Sequence, residues 1–121
     1  MRGNVDCPCG CGTKPTSTFL DLLITIDKFV YIFGNTHITI SSGARCEKHN
    51  KEVGGLPGSA HLLGIAADIP YNNDKELFNL VNVAMSRNIV RIVIYKKRKF
   101  IHIDVATQKM GFPEHIIKLE E

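Results

Sequence analysis

The stretch VRIVIYKKRKFIHIDV, Val90–Val105, decides how this chain folds. Two runs rich in Val, Ile and aromatic residues, Val90–Tyr95 and Lys99–Val105, flank a basic tripeptide, Lys96 to Arg98. Such runs read as strands, and the short polar break between them reads as a tight hairpin turn. Strand side chains alternate between faces. Phe100, His102 and Asp104 therefore share one face, and Ile101, Ile103 and Val105 share the other. The apolar face belongs on a core. The opposite face aims a histidine and an aspartate together at something.

Working outward, GSAHLLGIAADI (Gly58–Ile69) raises the same question. IAADI reads as a short buried strand that carries Asp68, with His61 seven positions earlier. Further upstream, HITISSGAR (His37–Arg45) alternates and is β-branched, so a strand ending at Gly43 is expected. The segment CEKHNKEVGGLPGS between them is polar and glycine-rich, and packing or a ligand must order it. From Phe19 to Phe33, apolar residues recur every three or four positions, which predicts a helix capped at Thr18 with Asp21 three residues on. Asp74 caps a second expected helix, with Leu77, Leu80, Val81, Ala84 and Met85 on one face. Helices mixed with an antiparallel hairpin predict an α+β domain, a small antiparallel sheet packed against helices. Residues 1–16, rich in Gly, Pro and Cys, are expected to form an irregular arm, and 17–121 a single domain.

Composition narrows the function classes. With 121 residues the chain suits one compact domain. An apolar fraction of 44% against 22% charged excludes a disordered chain. No apolar run approaches the roughly 18 residues that would span a bilayer. The opening MRGNVDCPCGCG has no signal-peptide-like run, so either synthesis in the cytoplasm or release from a larger precursor is expected. The net charge of +3 draws on YKKRKF (Tyr95–Phe100); a solvated hairpin turn is preferred there to a nucleic-acid patch. Cys7, Cys9 and Cys11 form C-x-C-x-C, tighter than the usual zinc knuckle, and Cys46 is remote. A disulfide, a cysteine metal site and free thiols all remain open.

A carboxylate buried without a partner costs several kcal/mol, so Asp68, His102 and Asp104 call for pairing or a metal. One reading has these groups bonding one another. The other takes His61, Asp68 and His102 as two imidazoles and a carboxylate, an open zinc set with a fourth position for water.

SGARCEKHNKEVGGLPGSAHLLGIAADI resembles the metal-binding core of the zinc D-Ala-D-Ala carboxypeptidase family, which includes VanY-type and VanX-type peptidases, phage cell-wall endopeptidases and the hedgehog-like fold. The matching elements are Ser42, Gly43 and Arg45; Ser59, His61, Gly64, Ala66 and Asp68; and His102 on a late strand. The resemblance runs from about Ser41 to Val105. It implies a hedgehog-like fold and one zinc ion held by His61, Asp68 and His102. It also implies an Arg45 that grips a substrate carboxylate and a Ser59 that bonds substrate or shapes its loop. The implied activity is hydrolysis of an amide bond in peptidoglycan peptides by a D,D-carboxypeptidase or endopeptidase, as in phage or prophage lysis. A monomer acting at the cell wall is expected.

The chain departs from the family where a general base is expected. One branch has an acid three residues before the last zinc histidine, and here that position is Lys99. Another has a histidine two residues before it, and here that position is Phe100. Asp104 is the nearest substitute, as proton acceptor or, preferably, as the group that orients His102. His49 and Glu52 are weaker candidates. His37 and His115 are taken as structural. The rival function is a zinc-containing module of the same fold that binds cell wall or protein without cleaving it.

Overall fold

The computed structural model describes residues 1–112 and 116–120. His115 lies outside them. The hairpin forms as expected: β4 (Arg91–Tyr95) pairs antiparallel with β5 (Phe100–Asp104), with Tyr95 opposite Phe100. The turn between them relies on Lys99 in the left-handed region, φ 54°. On its other side β5 pairs antiparallel with β3 (Ala66–Pro70), and β4 pairs parallel with β6 (Ile116–Glu120), giving the order β3-β5-β4-β6. The sheet is therefore mixed rather than wholly antiparallel, because the last strand returns alongside β4 in the same direction. A second, two-stranded parallel pair joins β1 (Arg2–Gly3) to β2 (Thr39–Ile40).

One sheet face takes the isoleucines. Ile69, Ile92, Ile101 and Ile103 are almost fully buried, each worth about 1.5–3 kcal/mol relative to exposure. They pack against α1 (Ser17–Gly34) and α3 (Asp74–Ser86). α1 buries Phe19, Leu23, Ile26 and Val30, spaced four, three and four apart. Its cap is Thr16, not Thr18: the Thr16 hydroxyl accepts the Phe19 N–H at 3.2 Å, so the helix begins one turn-fraction earlier than its apolar pattern suggests. Asn35, φ 56°, closes the other end. Phe33 lies at that frayed end and is exposed.

α3 is also capped ahead of the expected residue, here by one position. Asn73 accepts the Glu76 N–H at 2.9 Å, and Asp74 becomes the first helical residue. Its buried stripe is Leu80, Val83 and Ala84, while Met85 faces solvent. The strand expected from His37 shrinks to Thr39–Ile40 plus one bridge from Ser42 to Asp68. Gly43 explains the break, because a Cβ there would collide with the Val5 backbone, which passes close enough to accept the Ala44 N–H at 2.9 Å. The polar, glycine-rich segment contains a short helix, α2 (Glu47–Glu52), that periodicity did not signal.

Asp27 sits inside the apolar face of α1. It accepts the Ile38 N–H at 2.8 Å and lies 2.9 Å from both His37 Nδ1 and the Met1 ammonium. Burial pushes its carboxyl up, but these donors prevail and hold it below its ordinary value. His37, beside Asp27, also stacks on Tyr31.

Candidate metal centre

Register builds the site. β3 and β5 set Asp68 directly opposite His102, so both side chains leave the sheet on the same face. His61 arrives from the 3-10 turn Ala60–Leu63. Ser59 caps that turn by accepting the His61 N–H at 3.2 Å. Gly64 ends it at φ 71°. Lack of a side chain at Gly64 makes room for the arm: a Cβ would press on Lys14, Pro15 and Thr16, and the Thr16 N–H bonds the Gly64 carbonyl at 2.9 Å.

The hydrogen bonds around the two imidazoles fix where their lone pairs point. His61 Nδ1 lies 2.7 Å from the Gly43 carbonyl oxygen, which can only accept, so the proton is on Nδ1 and the Nε2 lone pair is free. That Nε2 faces Asp68 Oδ1 at 3.2 Å. His102 Nε2 lies 2.7 Å from Asp104 Oδ2 and donates to it, which leaves His102 Nδ1 facing the same Asp68 Oδ1 at 3.2 Å. Three acceptor atoms thus meet at one point, all within 4.8 Å of one another. Neutral imidazoles in these tautomers repel a carboxylate unless a cation or an extra proton lies between. The donor set of two imidazole nitrogens and one carboxylate oxygen suits a divalent ion such as zinc.

In the absence of a cation, the electrostatics take the second course, an extra proton. Burial raises the Asp68 carboxyl, but the bonds and charge of His102 and His61 overcome it and hold the group well below the usual carboxylate range. For His102 burial works downward, while Asp104 and Asp68 pull the imidazole up to about 9. Without a metal, therefore, a proton holds His102 between two carboxylates.

Around this centre lies a cleft of about 470 Å³. A depression of about 450 Å³ between α1 and α3 contains none of the convergent side chains. Arg45 lines the cleft and spans it with three donors: Nε to Ser42 Oγ at 3.0 Å, Nη1 to Asn50 Oδ1 at 3.0 Å and Nη2 to Asp68 Oδ2 at 3.3 Å. Its ion pair is with Asp68. Asp104 is fully buried, and its second oxygen accepts the Ala106 N–H at 3.0 Å beside Arg91 Nε at 3.4 Å. His49 and Glu52 face each other at 3.9 Å and do not line the cleft.

Three contributors escaped sequence reasoning. Asn50 is buried, holds Arg45 through Oδ1 and donates through Nδ2 to the Leu56 carbonyl at 2.9 Å. Gly55 packs so closely that a side chain would meet Asn50 and Arg45. Arg91 on β4 neutralises Asp104 from a neighbouring strand. None of the three sits in a distinctive local pattern, so only their register and burial reveal them.

The fold and the converging imidazoles and carboxylate define a hydrolase-like metal centre on a mixed sheet. The Peptidase M15 model matches residues 4–104. The chain belongs to the Peptidase M15 family, the metallopeptidase family to which the S-G-x-R and S-x-H-x-x-G-x-A-x-D elements pointed. No curated protein matches the chain. Among the described residues no helix is long and apolar enough to cross a membrane.

Proposed function

We propose that this protein is a zinc peptidase that hydrolyses an amide bond in peptidoglycan peptides, as a D,D-carboxypeptidase or an endopeptidase. The observation that carries the reading is the meeting of His61 Nε2, Asp68 Oδ1 and His102 Nδ1 beside an open cleft, with both imidazole tautomers set by other partners. These three residues would hold the zinc. When bound, it polarises the scissile carbonyl and acidifies a water molecule.

The remaining residues orient and bind. Asp104 keeps the His102 proton on Nε2, so that Nδ1 stays available to the metal. Its complete burial, with both oxygens engaged, supports this orienting role over proton acceptance. Arg45 has five N–H donors and three protein partners, so it can still take a substrate carboxylate. Ser59 accepts a bond from His61 and keeps its own O–H free to donate to a substrate peptide group. Tyr95 lines the same cleft, and burial together with the Asp68 charge raises its phenol, so it stays a neutral donor. A monomer is part of this proposal. Action at the cell wall, in a phage or prophage lysis setting, belongs to the same proposal.

One observation favours a second reading, a metal-loaded module that binds without cleaving. Among the described residues, the carboxylates that line the cleft are Asp68 and Asp104, and both are already engaged. Incubation of the zinc-loaded protein with cross-linked muropeptides separates the two. New products that vanish in His61→Ala support the peptidase. Saturable muropeptide binding without products, while an active relative cleaves the same sample, establishes the module instead.

A further inference from the structure

The four cysteines form a second convergent group, and none of them lines the cleft. The sulfurs of Cys7, Cys9 and Cys46 make a triangle with sides of 3.4, 3.7 and 3.6 Å. Cys11 completes a set whose sulfurs all lie within 4.8 Å of one another. A disulfide requires a separation of about 2.05 Å and uses only two sulfurs. A tetrahedral thiolate site with zinc–sulfur bonds of about 2.3 Å has sulfur–sulfur edges of about 3.8 Å, close to the triangle seen here.

The backbone is shaped to make this possible. In an extended chain, C-x-C-x-C would spread its sulfurs along one edge over about 13 Å. Here the loop closes on itself, with the Cys7 N–H bonded to the Thr13 carbonyl at 2.9 Å. Gly10 and Gly12 turn it through left-handed backbone, φ 79° and 89°. Two peptide N–H groups point at sulfur: Cys46 N to Cys7 Sγ at 3.5 Å, and His49 N to Cys46 Sγ at 3.4 Å. Such bonds favour thiolate over thiol and are common around metal-bound sulfur.

We propose that Cys7, Cys9, Cys11 and Cys46 hold a second, structural zinc ion that fastens the N-terminal arm to the start of α2. Four sulfurs close the coordination shell and leave no position for substrate or water. Binding releases the thiol protons to solvent and involves no change of oxidation state. Cys46 directly follows Arg45, and the arm's Val5 accepts the Ala44 N–H. The ion therefore steadies the segment from Ser42 to Cys46 that carries the cleft arginine. This site is independent of the zinc proposed at His61, Asp68 and His102.

The test uses the full chain, reduced, stripped of metal and titrated with zinc and separately with cobalt. The expected result is two equivalents per chain, a thiolate-to-cobalt charge-transfer absorption, and four thiols shielded from a thiol reagent until a chelator is added. The double variant His61→Ala/His102→Ala should keep one equivalent and the charge-transfer band. Cys9→Ser/Cys46→Ser should also keep one equivalent, but lose the band. Should the cysteine variant fail to fold, the wild-type cobalt spectrum and thiol protection decide by themselves. Four freely reactive thiols with no charge-transfer band, or a disulfide found by mass analysis of the unreduced protein, would overturn the proposal. Loss of the histidine-site ion alone would count against the peptidase reading and leave this one standing.

Discussion

Asp104→Asn is the sharpest perturbation of the proposed centre, because it changes one oxygen to an amide nitrogen and almost nothing in volume. The carboxylate now accepts two different protons with two different oxygens, His102 Nε2–H at 2.7 Å and Ala106 N–H at 3.0 Å. Asparagine has one acceptor oxygen, so one of these donors must lose its partner. If the oxygen stays on Ala106, the new NH2 group faces His102 Nε2. The imidazole then moves its proton to Nδ1, the atom that must be bare to bind metal. If the oxygen stays on His102, the Ala106 N–H is orphaned in a fully buried position, which costs about 1–3 kcal/mol of stability. Arg91, 3.4 Å from the same carboxylate, loses its countercharge in either case. Loss of a group that orients a metal-binding histidine lowers metal affinity about 10- to 100-fold, equivalent to about 1.4–2.8 kcal/mol. The assay is zinc titration against a chromophoric chelator, with the cysteine site already filled and the fold checked by circular dichroism. A folded Asp104→Asn protein that binds zinc as tightly as the wild type would refute the orienting argument.

Three further outcomes follow from the same geometry. Arg45→Lys replaces a fork with a point charge that cannot reach Ser42, Asn50 and Asp68 together; muropeptide turnover should fall at least tenfold while zinc stoichiometry is kept, as read by product formation and metal analysis. In the metal-free protein His102 is raised from about 6.5 to about 9, so its contribution to stability is complete below pH 6.5 and disappears as pH rises through 9; NMR titration of His102, together with denaturant melts across that range, measures it, and added zinc should abolish the titration. Asp27, whose carboxyl is depressed, contributes stability above its unfolded value of about 3.9 and loses it as pH falls further; Asp27→Asn should lower the midpoint at pH 7 and flatten the acid limb of the stability curve.

How much of this was legible in the residues depends on the range of the interaction. The strand alternation in FIHIDV assigned the two faces of β5 correctly, with Ile101 and Ile103 inward and His102 beside Asp104 on the cleft side. Helical spacing located α1 and α3, but both caps lay one or two residues earlier, at Thr16 and Asn73. A cap is chosen by which side-chain oxygen reaches a particular N–H, and apolar periodicity does not record that. The short α2 was missed because its six residues are polar throughout, and its order comes from Asn50 and Cys46 rather than from an apolar stripe.

The sequence by itself determined the chemistry on offer: a histidine and two aspartates interrupting apolar strands, an arginine after S-G-x, and four cysteines in place of an ordinary knuckle. Period-two alternation is local and needs no tertiary contact to be read. Which of those groups meet was decided by the sheet register that sets Asp68 against His102, by the turn that swings in His61, and by the curled arm that brings Cys7, Cys9 and Cys11 to Cys46. Those distances depend on strand pairing and loop closure between residues 34 to 39 positions apart, and no local pattern encodes a separation in space.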